Sequence, residues 1–178
     1  MKLEVKSIKL MFLYRNLKFK SIEFYTNNKE YKEIVKILNI KDRRNRLEYI
    51  YDEAVKYINK YYSEDLCKFE NGQCIVQRKN NGQDYNGCCK RCPLVTDKGC
   101  PSVNLPCKLI YCKTALKNIK KLKFSDILIL KCLTLGQQMV LRSSFFHTRE
   151  EILRNLNYGL IYSVFMSFKR CVFMNKKD

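Results

Sequence analysis

Eight of the ten cysteines fall between Cys67 and Cys112, a stretch that also holds all three prolines and four of the six glycines. It has few aliphatic side chains and no regular periodicity. Buried apolar surface therefore cannot offset the entropy of ordering it, and a cross-link must. The cysteines are Cys67, Cys74, Cys88, Cys89, Cys92, Cys100, Cys107 and Cys112, at irregular gaps. Only Cys89-Lys90-Arg91-Cys92 has the two-residue spacing that grips one tetrahedral ion from a single turn.

Three chemistries fit eight clustered thiols. Structural zinc takes four thiolates at about 2.3 Å, so two closed sites are available. An iron–sulfur cluster also takes four thiolates, and the Cys92-Pro93 and Cys100-Pro101 dipeptides suit it. Disulfides are the third reading. The first twenty residues carry Lys2, Glu4, Lys6, Lys9, Arg15, Lys18 and Lys20, which interrupt every apolar run. They do not form a secretory signal, so a cytoplasmic location is expected, where clustered thiols serve as metal ligands more often than as disulfides. Zinc and iron–sulfur remain indistinguishable at this point. The single histidine excludes a His-rich catalytic metal site. No run approaches the ~18–20 apolar residues of a membrane-spanning helix.

The formal net charge is +18, from 35 basic and 17 acidic residues. Such an excess points to nucleic acid, an anionic surface or an acidic protein as partner. Lysines outnumber arginines, 25 to 10, and arginine is the better reader of phosphates and bases. The abundance of Lys, Asn, Ile and Tyr together is also what an A/T-rich genome produces without selection for binding.

Outside the cysteine stretch, hydrophobic periodicity predicts helices. Alternation in residues 1–26 (Leu3, Val5; Ile22, Phe24) predicts a β-hairpin turning at Arg15-Asn16, with a short amphipathic helix as the competing form. Asn27 or Asn28 caps a helix carrying Tyr31, Ile34, Val35 and Leu38. The next helix, about 46–62, buries Leu47, Ile50, Ala54, Ile58 and Tyr61. Residues 112–123 put Ala115, Leu116, Ile119 and Leu122 on one face and a lysine stripe opposite. Ser125 caps an almost wholly apolar helix that Gly136 ends. A helical or extended piece covers 137–146. Thr148-Arg149-Glu150-Glu151 is a capping box that opens a helix to about 157.

The fold class is therefore mainly α, or α+β if the N-terminal hairpin forms: a helical domain with an irregular, metal-stabilised cysteine-rich insert. Three parts are expected: residues 1–45 as an extension of hairpin and helix, 46–157 as the cysteine-rich metal-binding domain, and 158–178 as an apolar tail packing on the core.

The run Cys88-Cys89-Lys90-Arg91-Cys92-Pro93-Leu94, then Gly99-Cys100, then Pro106-Cys107-Lys108-Leu109-Ile110-Tyr111-Cys112 resembles the cysteine-rich family described as zinc- or iron-chelating, with its CxxCxxCC signature. It is also similar to small cysteine-rich proteins of low-GC Firmicutes, in which a Phe-Phe-x-Thr-Arg-Glu-Glu-Ile segment follows, here Phe145–Ile152. The resemblance spans about 67–153 and implies a chelated metal. It departs ahead of the vicinal pair, where Cys67 and Cys74 stand in place of the expected two-residue pairs.

The expected metal ligands are Cys88, Cys89, Cys92, Cys100, Cys107 and Cys112, with Cys67, Cys74 and Cys132 as further candidates. Cys132 and Cys171 sit in apolar surroundings and read first as small hydrophobes. His147 reads first as a helix-entry residue. A thiol redox role for Cys89 and Cys92 lacks the surrounding βαβ pattern. Lys90, Arg91, Lys113, Lys117 and Lys120, with Lys108 nearby, form the candidate phosphate-binding surface, and a solvated helix face is the plainer reading of the same lysines. The functional expectation is a non-enzymatic, basic, metal-binding protein whose partner is nucleic acid or another polyanion. Two alternatives remain. One is an iron–sulfur-dependent redox enzyme or sensor. The other is a zinc-stabilised protein-interaction module, such as a mobile-element or phage defence inhibitor.

Overall fold

The computed structural model describes residues 1–7, 9, 22–62, 66–71, 73–79, 94, 96, 98, 104–111, 113–116 and 119–159. The described part is mainly helical, with one small sheet. Strands β1 (Lys2–Glu4) and β2 (Glu23–Tyr25) pair in parallel, with Lys2 opposite Glu23, Leu3 opposite Phe24 and Glu4 opposite Tyr25. These two strands are therefore not the arms of a hairpin, and the expected turn at Arg15-Asn16 lies outside the described residues. A tight turn joins only antiparallel neighbours, whereas parallel strands need a crossover between them. The alternation itself holds in β2, where Phe24 is buried between exposed Glu23 and Tyr25. Asn39 covers the edge of β2, accepting the Phe24 N–H and donating to the Phe24 carbonyl, both at 2.8 Å. It thereby satisfies a strand edge that would otherwise invite pairing with another chain.

Asn28 caps a short 3-10 turn, Lys29–Tyr31, by accepting the Glu30 N–H at 2.9 Å. The turn leads into α1 (Lys32–Asn39), which buries Ile34, Ile37 and Leu38. Helix α2 (Arg43–Tyr61) starts at Asp42, whose carboxylate accepts the Asn45 N–H at 2.7 Å. Leu47, Ile50, Ala54 and Ile58 line its buried face as the spacing predicts. Tyr51 is buried there too, while Tyr61 is 38% exposed. Tyr61 turns outward at the last residue of the helix because its hydroxyl donates to the Lys120 carbonyl at 3.0 Å.

Within the cysteine stretch two short helices are described, α3 (Ile75–Lys79) and α4 (Leu105–Lys108), and α5 (Lys113–Leu116) follows directly after it. The helix expected over 112–123 is shorter. By Ile119 the chain is no longer helical, although Leu122 is still buried.

The expected apolar helix from Ser125 to Gly136 is replaced by two 3-10 segments, Phe124–Asp126 and Leu128–Cys132. The reason lies in the period. Ile127, Leu130 and Leu133, spaced by three, are each only 1% exposed, while Lys131 between them faces solvent. A 3-10 helix stacks side chains at i and i+3, so Leu130 lies in line with Ile127 and Leu133 at the two ends of the segment, with Cys132 buried beside them. An α-helix would spread the same run around its circumference.

Helix α6 (Leu135–Ser143) begins with a second capping box, Thr134 with Gln137, so Gly136 lies in its first turn and stops nothing. Helix α7 (Arg149–Tyr158) opens with the expected box. The Thr148 hydroxyl accepts the Glu151 N–H at 3.2 Å, and the Glu151 carboxylate accepts the Thr148 N–H at 2.9 Å. Gly159 closes it at φ +95°, a left-handed conformation that glycine adopts without strain. Replacing Thr148 with Ala removes one half of this box and should lower stability by about 1 kcal/mol. A urea titration of T148A against wild type measures it directly, and an unchanged midpoint would show that the box carries no weight.

One hydrophobic core runs from Val5, Ile22 and Phe24 through α1 and α2 to Leu156 on α7. Helix α2 is its spine, packing against α1, α4, α7 and the Leu128–Cys132 segment. Arg149 ties α7 to α2 through a two-pronged pair with Asp52 at 2.8 and 2.7 Å. Residues 160–178, most of the expected apolar tail, lie outside the described residues. Among the described residues no helix is long and apolar enough to cross a membrane.

Candidate metal centre

The described part of the cysteine stretch hangs from α2 by side-chain hydrogen bonds. The Tyr51 hydroxyl accepts the Leu105 N–H at 3.3 Å. Asn59 accepts from the Lys108 ammonium. The Tyr62 hydroxyl, at the end of α2, accepts the Leu122 N–H at 2.8 Å. Together with the Tyr61 contact to Lys120, these hold Leu105, Lys108, Lys120 and Leu122 against α2 and its C-terminal cap. Burial pushes the Tyr51 phenol up to about 12, and burial raises Tyr62 as well. Both hydroxyls therefore stay protonated at neutral pH.

Cys107 is half-buried on α4. Asn104, only 1% exposed, caps this helix by accepting the Cys107 N–H at 2.9 Å. The other end of the same amide donates to the His147 carbonyl at 2.8 Å. One buried side chain thus joins the cysteine helix to the turn that precedes α7. In that turn Phe146 is left-handed, at φ +60°. His147 is 6% exposed, with Nδ1 at 2.6 Å from the Phe145 carbonyl. A carbonyl only accepts, so Nδ1 is the donor in this hydrogen bond.

Cys67 and Cys74 bracket a closed loop. Glu70 and Gln73 exchange backbone hydrogen bonds at 3.0 Å, and the Ile75 N–H reaches the Cys67 carbonyl at 2.9 Å. Lys68 and Asn71 are left-handed within it, at φ +43° and +49°. Arg78 clamps the loop from α3, bonding the Gln73 carbonyl at 3.3 Å and Glu70 at 3.1 Å. The backbone of this loop brings the Cys67 carbonyl against the residue following Cys74. Helix α3, which starts after Cys74, packs against α5. Cys132 is a buried thiol in the Leu128–Cys132 segment, within the hydrophobic core.

No protein-family model, curated protein or solved structure matches the chain. The likeness to the chelating family therefore rests on its motif residues.

Among the described residues no three Cys, His, Asp or Glu side chains come close enough to hold a metal ion. Cys88, Cys89, Cys92, Cys100 and Cys112 lie outside the described residues, as do Lys90, Arg91 and Lys117. The donor chemistry of Cys67, Cys74 and Cys107 suits thiophilic metals such as zinc or iron. Lys113 opens α5, and Lys120 is exposed. Lys108, grouped with the basic stripe from its position in the sequence, is instead buried against Asn59 and is not presented to a phosphate.

Sequence reasoning missed Asn104 and Tyr51. An Asn followed closely by Pro, here Asn104-Leu105-Pro106, is a helix-start signal and could have been read. The reach from Asn104 to His147, and from Tyr51 to Leu105, leaves no local pattern.

Tyr51 makes a pH prediction. Its folded pKa is about 12, above the ordinary ~10 of an unfolded tyrosine. The unfolded chain then loses this proton first. The contribution is complete below pH ~10 and declines by about 1.4 kcal/mol per pH unit until the folded phenol titrates. Tyr51→Phe should flatten that alkaline slope while lowering stability near neutrality, because the Leu105 N–H loses its acceptor. Urea midpoints of both proteins from pH 8 to 12 test it. Parallel slopes would mean that Tyr51 ionises as freely folded as unfolded.

Proposed function

We propose that the chain is a metal-binding protein, not an enzyme, whose clustered thiolates hold an iron–sulfur cluster or zinc and so organise a basic surface for a polyanion, nucleic acid foremost. The observation that carries this reading is the eight cysteines between positions 67 and 112, in a stretch too poor in apolar residues to fold by burial. Cys88, Cys89, Cys92, Cys100, Cys107 and Cys112 are the proposed ligands, with Cys67 and Cys74 supporting them from their closed loop. All-thiolate donors supply either a closed structural site or a redox centre. Lys90, Arg91, Lys113, Lys117 and Lys120 would meet phosphates, and the overall charge of +18 favours such a partner.

The test is an anaerobic purification with metal analysis and an absorption spectrum on one sample. Bound metal in stoichiometric amount is the expected result. A brown protein with iron and acid-labile sulfide moves the emphasis to redox sensing or catalysis. A colourless zinc protein makes the centre structural. No metal, with thiols that titrate normally, would overturn the reading. The polyanion half is tested by oligonucleotide binding across a salt series. A steep loss of affinity with salt is expected, with a shallower slope in K113E/K117E/K120E. No binding even at low salt would remove that half.

A further inference from the structure

A groove of about 420 Å³ lies between α4, the Lys121–Ser125 stretch and α6. Its floor is aliphatic and aromatic: Leu105, Leu109, Ile110, Leu122, Leu141 and Phe145. Lys121, Lys123 and Arg142 also line it, all three are exposed, and no described lining residue is acidic. The Arg142 guanidinium sits 4.4 Å above the Phe124 ring, which holds that cation at the edge of an apolar surface. The nearby Asp126 carboxylate is engaged locally, accepting the Lys123 N–H at 2.9 Å. An apolar floor under cations of one sign calls for an amphiphilic anion. A second groove between α2 and α7 differs in this respect, because Glu48 and Glu150 line it beside Arg44, Arg149 and Arg154.

We propose that the α4–α6 groove docks an acidic peptide segment of another protein, which inserts one or two apolar side chains onto the floor and sets its carboxylates against Lys121, Lys123 and Arg142. Charge selects this occupant over the others. A second copy of the chain brings a net charge of +18 to a cationic rim. The chain's own residues 160–178 hold no carboxylate before Asp178, so they bring apolar side chains for the floor but almost nothing to meet the cations. Nucleic acid would satisfy the cations but not the floor, where aliphatic side chains dominate and Arg142 occupies a face of Phe124. Single strands favour open aromatic faces for stacking. The lining includes none of the proposed metal ligands, so the inference does not depend on which metal the protein holds.

The experiment uses the full-length protein with its metal as purified. The probe is a fluorescein-labelled peptide of Asp and Glu carrying two leucines one helical turn apart. Its control has serines in place of the leucines, and an oligonucleotide of equal charge is the third probe. Fluorescence anisotropy at low salt should show the leucine peptide binding at least about tenfold more tightly than the serine peptide. K121E/K123E, at two exposed positions, should weaken the leucine peptide by about tenfold or more. Ile110→Asp, at a floor position outside the main core cluster, should do the same. Circular dichroism and metal content confirm that each variant is folded. Equal binding of the two peptides would overturn the proposal, since charge alone would then explain it. So would an absence of peptide binding, or leucine-peptide binding untouched by both variants. An oligonucleotide that binds through Lys121 and Lys123 more tightly than the leucine peptide would also overturn it and make the groove part of a nucleic-acid surface.

Discussion

Protein stripped of metal under reducing conditions should lose protection against proteolysis and hydrogen exchange across residues 67–112, while α1, α2, α6 and α7 keep most of theirs. Structural zinc in small cysteine sites contributes apparent binding free energies of about 10 kcal/mol or more at neutral pH. That is as large as the whole stability of a typical domain. The two regions should respond differently because their sources of stability differ. The core that joins Val5 to Leu156 draws on many aliphatic residues outside the cysteine stretch, whereas within 67–112 only Leu105 is a fully buried hydrophobic core side chain among the described residues, with Leu109 and Tyr111 packed partly buried against it. The proposed ligands would bind as thiolates, so acid should mimic stripping: metal release should accelerate as protons compete for sulfur. Adding back zinc, or reconstituting iron and sulfide, should restore protection with the metal that the purified protein held. Mass-spectrometric hydrogen exchange with and without metal decides the matter. Identical protection of 67–112 in both states would mean that the cysteines do not cross-link this region through metal.

Local rules read local structure well here. Asn28 and Thr148 cap where expected, whereas α2 begins at Arg43, capped by Asp42, ahead of the expected start at about 46. The inward positions of α2 follow directly from the spacing of Leu47, Ile50, Ala54 and Ile58. The failures share a cause. Alternation in residues 1–26 identifies a strand face but not its partner or direction, which a contact between distant residues decides. The run from Ile127 to Leu133 is apolar enough to suit several periods. Burial of Ile127, Leu130 and Leu133 goes with the 3-10 form, and the neighbouring Thr134-x-x-Gln137 box marks where the α-helix starts, with Gly136 inside its first turn. The proposed metal centre is the extreme case. The number of cysteines points to a cross-link, but which thiols would share an ion depends on chain geometry that spacing alone does not encode.

Asn104→Ala should destabilise the protein by about 3 kcal/mol, from the loss of a helix cap and the stranding of a buried carbonyl together. The side chain is 1% exposed, and its two ends serve elements 43 residues apart in sequence. Asn104→Ser separates the two effects. Serine still caps α4 and should recover about 1 kcal/mol, but it is too short to reach the His147 carbonyl. The remaining deficit then measures the link to the turn before α7. This link has consequences for the proposed centre. The cap holds the first turn of α4, where Cys107 sits, and the Tyr51 hydroxyl holds the N–H of Leu105 beside it. If Cys107 is a ligand, loosening that turn moves a donor atom, and metal should leave N104A faster than wild type in a chelator challenge at matched temperature. The serine variant should lie between the two. Metal release that is equally slow in all three, with stability reduced as expected, would place Cys107 outside the metal's ligands. Unchanged stability would show that Asn104 does not join the two elements at all.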